Sequence, residues 1–243
     1  MDEERNAQIS TRNTRAEIMR LDLHIHSEHS SDSLSSPKCI IKVAKRRGLD
    51  GIAVTDHGTI KGGVEARKLC GGNDFLVIIG TEIATEKGDV LGLFLEREIQ
   101  SDISADVIDE IHSQGGIAVL PHPFKGHKLD EDLLSRIDAI EVFNSRARKV
   151  ENDKALALAE KYAKPKIAGS DAHFWIEIGR ACTIVEGTDV KRALLAGASK
   201  VEGDQTPKYV EMISQLLKSA RTKDYGAMPK MACSGLRKRM TKS

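Results

Sequence analysis

Five short segments of the chain carry residue types that bind transition metals. Leu21-Asp22-Leu23-His24-Ile25-His26 closes an apolar run. His24 and His26 stand two apart, so on extended backbone they point to the same side. Ala168-Gly169-Ser170-Asp171-Ala172-His173 repeats that spacing with Asp171 and His173. Val54-Thr55-Asp56-His57, Gly80-Thr81-Glu82 and Leu120-Pro121-His122 each follow another apolar run. Imidazoles mixed with carboxylates, without thiolates, suit zinc, manganese or iron. A carboxylate such as Glu82 can bridge two cations about 3.5–4 Å apart. Such a pair binds a phosphoryl oxygen and lowers the pKa of a bridging water toward 7. The expected chemistry is attack of a metal-bound hydroxide on phosphorus, with Glu82, Asp171 and His173 as its catalytic residues and no serine or cysteine nucleophile.

These segments are far apart in sequence, so the fold must bring them together. Short apolar runs at 18–23, 51–54, 76–80, 90–95, 117–120, 139–143, 166–169 and 182–185 read as strands. Helices are expected from Ser36-Pro37 to about residue 47, over 105–114 with Ser104 as cap, over 150–162 and over 189–195. Strands alternating with helices predict a parallel sheet with crossover helices, closed into a barrel or strongly curved. In a parallel barrel all strand C-termini lie at one face, where side chains from different strands converge. The expected organisation is a flexible N-terminus (1–17), a barrel domain (18–205), a helix (206–220) with Tyr209, Val210, Ile213, Leu216 and Leu217 on one face, and a disordered tail (221–243).

The 243 residues carry a net charge of +1 and 4% aromatics, which speaks against a base-stacking platform or a molecule-wide attraction to polyanions. Only the tail is basic, with seven Lys or Arg against one Asp, and it is the sole feature that suggests a nucleic-acid partner. No apolar run approaches the roughly 20 residues of a membrane span. Cys39, Cys70, Cys182 and Cys233 form no CxxC pair and read as free thiols of a cytoplasmic protein.

Taken in order, His24-Ile25-His26-Ser27, Asp32, Thr55-Asp56-His57, Glu82, His122 and Gly169-Ser170-Asp171-Ala172-His173 resemble the four motifs of the PHP domain, the polymerase and histidinol phosphatase superfamily. The resemblance spans about residues 21–185. It implies an α/β fold, a distorted (β/α)7 barrel of PHP type, with three divalent metals. One would be held by His24, His26, Glu82 and Asp171. A second would be held by Glu82, His122 and Asp89, which stands where many relatives have histidine. A third would be held by Asp32, His57 and His173. The length and the Glu-Val-Phe-Asn segment at 141–144 resemble the small stand-alone members, metal-dependent phosphoesterases, rather than polymerase subunits.

Around these ligands, Asp56 is expected to orient its neighbours, and His29 and His127 to lie in exposed loops. Lys61, Lys125, Arg146 and Arg180 fall in loops after strands; Arg146, Arg180 and Asn144 are the expected substrate-binding residues. Gly58, Gly62 and Gly63 have the wrong spacing for a nucleotide-binding GxGxxG. The leading expectation is hydrolysis of a small phosphorylated metabolite or nucleotide. The alternatives are a nuclease acting on nucleic-acid ends and a catalytically silent binding module.

Overall fold

A computed structural model describes residues 18–216 except 73, 211 and 215. The expected 1–17 and 221–243 segments, with Leu217 and Cys233, lie outside the described residues.

Among the described residues nine strands form one sheet: β1 (Ile18–Ile25), β2 (Gly51–Val54), β3 (Leu76–Thr85), β4 (Gly88–Leu93), β5 (Ile117–Leu120), β6 (Ala139–Asn144), β7 (Lys166–Gly169), β8 (Ala181–Glu186) and β9 (Ser199–Gly203). Their order is β7-β6-β5-β4-β3-β2-β1-β8-β9. The pairs β1/β2, β2/β3, β5/β6 and β6/β7 are parallel, whereas β3/β4, β4/β5, β1/β8 and β8/β9 are antiparallel. The sheet is barrel-shaped and α/β as expected, but mixed rather than all parallel. One reversal lies in β3, which pairs with β2 up to Ile79 and then with β4 from Gly80 in a hairpin; the other lies in β8, which runs antiparallel to both β1 and β9. The β3/β4 hairpin carries Glu82 out to the barrel mouth.

Side chains complete the closure. Thr183 Oγ1 on β8 accepts from Ala168 N (2.8 Å) and donates to Ala168 O (2.9 Å) on β7. Just past β7, Ala172 bridges Ile25 at the end of β1. The interior is filled by Leu21, Leu23, Ala53, Ile78, Leu91, Leu93, Ile117, Val119, Ala139 and Ile167, so each of β1 to β7 contributes to one core. Burial of branched side chains from alternate strands makes the barrel a packed body with its site at the rim.

The sheet is covered by α1 (Pro37–Arg46), α2 (Lys61–Cys70), α3 (Ser104–Ser113), α4 (Glu131–Arg136), α5 (Lys149–Lys161) and α6 (Val190–Leu195). Ser36 caps α1 as expected, accepting from Cys39 N. Ser104 does not cap α3. It is the first helical residue, and both its N–H and its hydroxyl donate to Glu86, whose carboxylate serves the helix end instead. Positions 208–210, 212–214 and 216 are helical. There Val210 and Ser214 are buried, while Tyr209, Ile213 and Leu216 face outward, contrary to the apolar face read from the sequence.

Candidate metal centre

The metal-capable residues meet at one end of the barrel because main-chain pairings hold their segments together. His26 N donates to Ala172 O (2.9 Å), locking the first motif against Asp171 and His173. His57 bridges Glu82, with Gly58 N donating to Glu82 O (2.9 Å). The β1/β2 register shifts between Asp22 and Ile25, and such an irregularity re-aims the side chain it contains, here His24. His122 (φ 28°) and Asp171 (φ 54°) adopt left-handed backbone, a strained conformation for residues with a Cβ that the surrounding structure must impose.

Three clusters result: His24, His26 and Asp171; His24, Glu82 and His122; and His26, Asp32, His57 and His173. Glu82 joins them. Its Oε1 lies 2.9 Å from His122 Nε2, and its Oε2 lies 3.4 Å from His24 Nε2, 3.3 Å from His26 Nε2 and 3.3 Å from His57 Nδ1. Asp32 Oδ2 is 3.3 Å from both His57 Nε2 and His173 Nε2. Asp171 Oδ1 is 3.5 Å from His26 Nε2 and 3.4 Å from His173 Nδ1. Asp89 lines the same cavity but contributes no atom to a cluster.

These residues fit divalent cations. His24 Nε2 and His26 Nε2 point at each other across 3.2 Å. Donors each about 2.1 Å from a tetrahedral cation are roughly 3.4 Å apart, which is the spacing of these clusters. Charge makes the same argument. Asp22, Asp32, Glu82, Glu141 and Asp171 are buried, and burying unpaired carboxylates is costly unless positive charge accompanies them. Burial would raise the Glu82 and Asp171 carboxyls, but the imidazoles, together with Lys125 beside Asp171, hold both well below the usual range. Both are therefore ionised. Burial and the neighbouring His26 push His173 down to about 4, leaving it neutral.

Further hydrogen bonds fix these side chains. His24 Nδ1 donates to Glu141 Oε1 (3.0 Å), while Glu141 Oε2 accepts from His122 N (2.9 Å) and Asn144 Nδ2 (2.9 Å). Asp56 orients its neighbours as expected, accepting from Ser27 N (2.6 Å), Ser27 Oγ (2.7 Å) and Ser30 Oγ (2.9 Å). Fully buried Asp22 accepts from Ser170 N (2.9 Å) and Gly179 N (2.7 Å), tying β1 to the last motif. Burial raises its carboxyl to about 6 against those hydrogen bonds. Backbone proximity is part of this packing. A Cβ on Gly169 would lie 2.3 Å from the His24 Cβ and 2.8 Å from Glu141 Oε1. Gly169→Ala is expected to cost at least about 1–3 kcal/mol in chemical denaturation, as overpacking does elsewhere, and an unchanged midpoint would refute that packing.

The cavity, about 330 Å³, is walled by Glu82, His122 and Asp171 together with Lys125, Arg146 and Ser214. Lys125 Nζ is 3.4 Å from Asp171 Oδ2, and Arg146 Nε is 3.5 Å from Glu177 Oε1. Asn144 lies behind this wall, its amide donating to Glu141 and Asp171. Arg180 is directed elsewhere and donates to Gln205 O (3.3 Å). His29 pairs with Glu65 on the surface, and Lys61 is exposed at the start of α2. His127 is half-buried rather than exposed, donating to Asp89 O (2.9 Å). Lys125 and Glu141 are the site residues the sequence reading ranked too low or passed over. A carboxylate one strand from a candidate ligand was the available signal for Glu141.

The PHP domain family model matches residues 22–181, about two-thirds of the chain, with every cluster residue inside it. The chain belongs to the PHP domain family. An uncharacterised protein of Methanocaldococcus jannaschii is 40% identical over 148 residues, covering 54% of this chain and 84% of that protein. A second from the same organism is 38% identical over 175 residues, covering 67% of this chain and 69% of its own length. Among solved structures, a Bacteroides vulgatus two-domain protein "containing predicted PHP-like metal-dependent phosphoesterase" superposes with a TM-score of 0.68 at 22% identity. The match covers 78% of this chain and 66% of that one, so the PHP chain spans just under two-thirds of that neighbour and shares its fold. Among the described residues, no helix is long and apolar enough to cross a membrane.

Proposed function

We propose that this PHP protein is a metal-dependent phosphoesterase acting on a small phosphorylated metabolite or nucleotide, with three divalent ions, zinc, manganese or iron, as its cofactors. One observation carries the reading: Glu82 belongs to one of the three ligand clusters and touches members of the other two, on the wall of a single cavity that also presents Lys125 and Arg146. His24, His26, Glu82 and Asp171 would hold one cation, Glu82 and His122 a second, and Asp32, His57 and His173 a third. Bound there, divalent cations acidify water and offset charge on phosphoryl oxygens. Glu82 and Asp171 stay ionised and fix the ligand geometry; His173 stays neutral and keeps its Nε2 available. Lys125 and Arg146 supply point and forked positive charge to phosphate oxygens. Free Cys39, Cys70 and Cys182 support a reducing, cytoplasmic setting.

A panel of phosphomonoesters, phosphodiesters and short oligonucleotides, tested with manganese and zinc separately, checks the proposal. Absence of turnover on every phosphate with the metal positions filled sinks it, and activity confined to oligonucleotide ends moves the assignment to a nuclease. Lys125→Ala and Arg146→Ala are each expected to lower kcat/KM by about 10- to 100-fold, the worth of one charged hydrogen bond, with metal content unchanged. Equal kcat/KM in the wild type and both variants would remove the two residues from phosphate binding.

A further inference from the structure

The three clusters are unequally equipped. The first position has four donors, because Glu82 Oε2 joins His24, His26 and Asp171. The third has Asp32, His57 and His173, with His26 alongside. The second has Glu82 Oε1 and His122 Nε2; its remaining member, His24, aims the same Nε2 at His26 in the first cluster. Asp89 is on the cavity wall yet outside the cluster.

Outer support differs in the same direction. His24 Nδ1 has Glu141, His26 Nδ1 lies 3.3 Å from Ser30 Oγ, and His173 Nδ1 lies 2.9 Å from Asp171 O. His122 Nδ1 is buried with no partner among the described residues. The neighbouring His127 ring, 5.6 Å away, does not supply one, since its Nε2 is engaged with Asp89 O and its own Nδ1 is also buried and unpartnered.

We infer that the position at Glu82 and His122 is a weak, exchangeable cation site, so that the chain keeps two resident cations and takes a third only in proportion to its free concentration. The inference rests on the proposed metal centre. An outer-shell partner alone is worth 10- to 100-fold in metal affinity. With a protein donor also missing, the third cation should bind at least about 10²-fold more weakly than the other two. Turnover would then follow the free divalent concentration well above the level that fills the resident pair.

The test counts metal without substrate. Protein loaded with manganese or with zinc is desalted into metal-free buffer, analysed by plasma mass spectrometry, and titrated with the same ion. Two ions per chain should remain, and a third should return at least about 10²-fold more weakly. Asp89→His places an imidazole on the cavity wall and should raise the retained count to three. His122→Ala should abolish the weak event and leave two ions retained, so the inference stays testable if the first variant does not fold. Three ions retained with similar affinity by the wild type would overturn it, as would a weak event that survives His122→Ala. Retention of no ion would overturn the metal centre itself. Two retained ions without hydrolysis of any ester would leave the inference standing and refute only the phosphoesterase.

Discussion

Glu82→Gln should lower phosphoester turnover by at least about 10³-fold, or about 4 kcal/mol of transition-state stabilisation, and should reduce the bound metal as well. The expectation follows from geometry. Its carboxylate is the only group that touches His24, His26, His57 and His122 among the described residues. Glutamine keeps the size and one oxygen but loses the charge and the second anionic donor. Two oxygens now serve different clusters, so a single neutral acceptor cannot bridge them. Fold loss is not the expected cause, because the neighbouring strand pairings run through the main chain of β3 and are untouched by the substitution. Turnover at saturating metal, metal content and thermal unfolding, measured on the same preparation, separate these effects. A variant with full metal content and turnover within tenfold of wild type would show that Glu82 does not bridge.

Much of this site was legible because its metal-capable residues sit at strand ends in recognisable pairs. His24/His26 and Asp171/His173 each follow an apolar run, and period-2 spacing dictates a shared side. What the sequence hid was set by tertiary contact. Helix α2 escaped notice because Gly62-Gly63 lowers helix propensity in its first turn and Ile60 offers no side-chain cap. The structure shows why a poor helix former is required: a Cβ on Gly62 would lie 2.0 Å from Asp56 Oδ2 and 2.3 Å from Ser27 Oγ. The glycines therefore belong to the packing of the ligand scaffold, in agreement with the absence of a nucleotide-loop spacing. The C-terminal helix lies where expected over its described positions, but not all of its apolar face is buried. Apolar periodicity selected Tyr209, Val210, Ile213, Leu216 and Leu217; of these Val210 is buried, whereas Tyr209, Ile213 and Leu216 face outward and Ser214 turns to the cavity wall instead. Asp89 lines the cavity but belongs to no cluster among the described residues. Its place in the motif suggested a ligand, whereas the β3/β4 hairpin sets it opposite Ala84, with its carbonyl engaged by His127.

Glu141→Gln and Glu141→Ala should divide positioning from packing. The carboxylate touches no substrate-facing surface, being fully buried, but it orients two ligands at once through His24 Nδ1 and His122 N. A carboxylate on the far nitrogen fixes the imidazole tautomer and raises the basicity of the nitrogen that faces the metal. Glutamine can still accept from His24 but turns its amide nitrogen to the His122 and Asn144 N–H groups, so it should lose less stability than alanine, while the lost charge should weaken metal affinity by about 10- to 100-fold, with turnover at limiting metal falling in parallel. Alanine leaves three buried donors without their acceptor, each worth about 1–3 kcal/mol, so it should also lower the unfolding free energy by several kcal/mol. Apo-protein titration with manganese, read beside chemical denaturation, distinguishes the two roles. If both variants lose stability while metal affinity stays at the wild-type value, Glu141 is only a packing residue. If Glu141→Gln weakens metal binding while losing less stability than Glu141→Ala, the charge of this carboxylate sets the strength of the centre from behind its ligands.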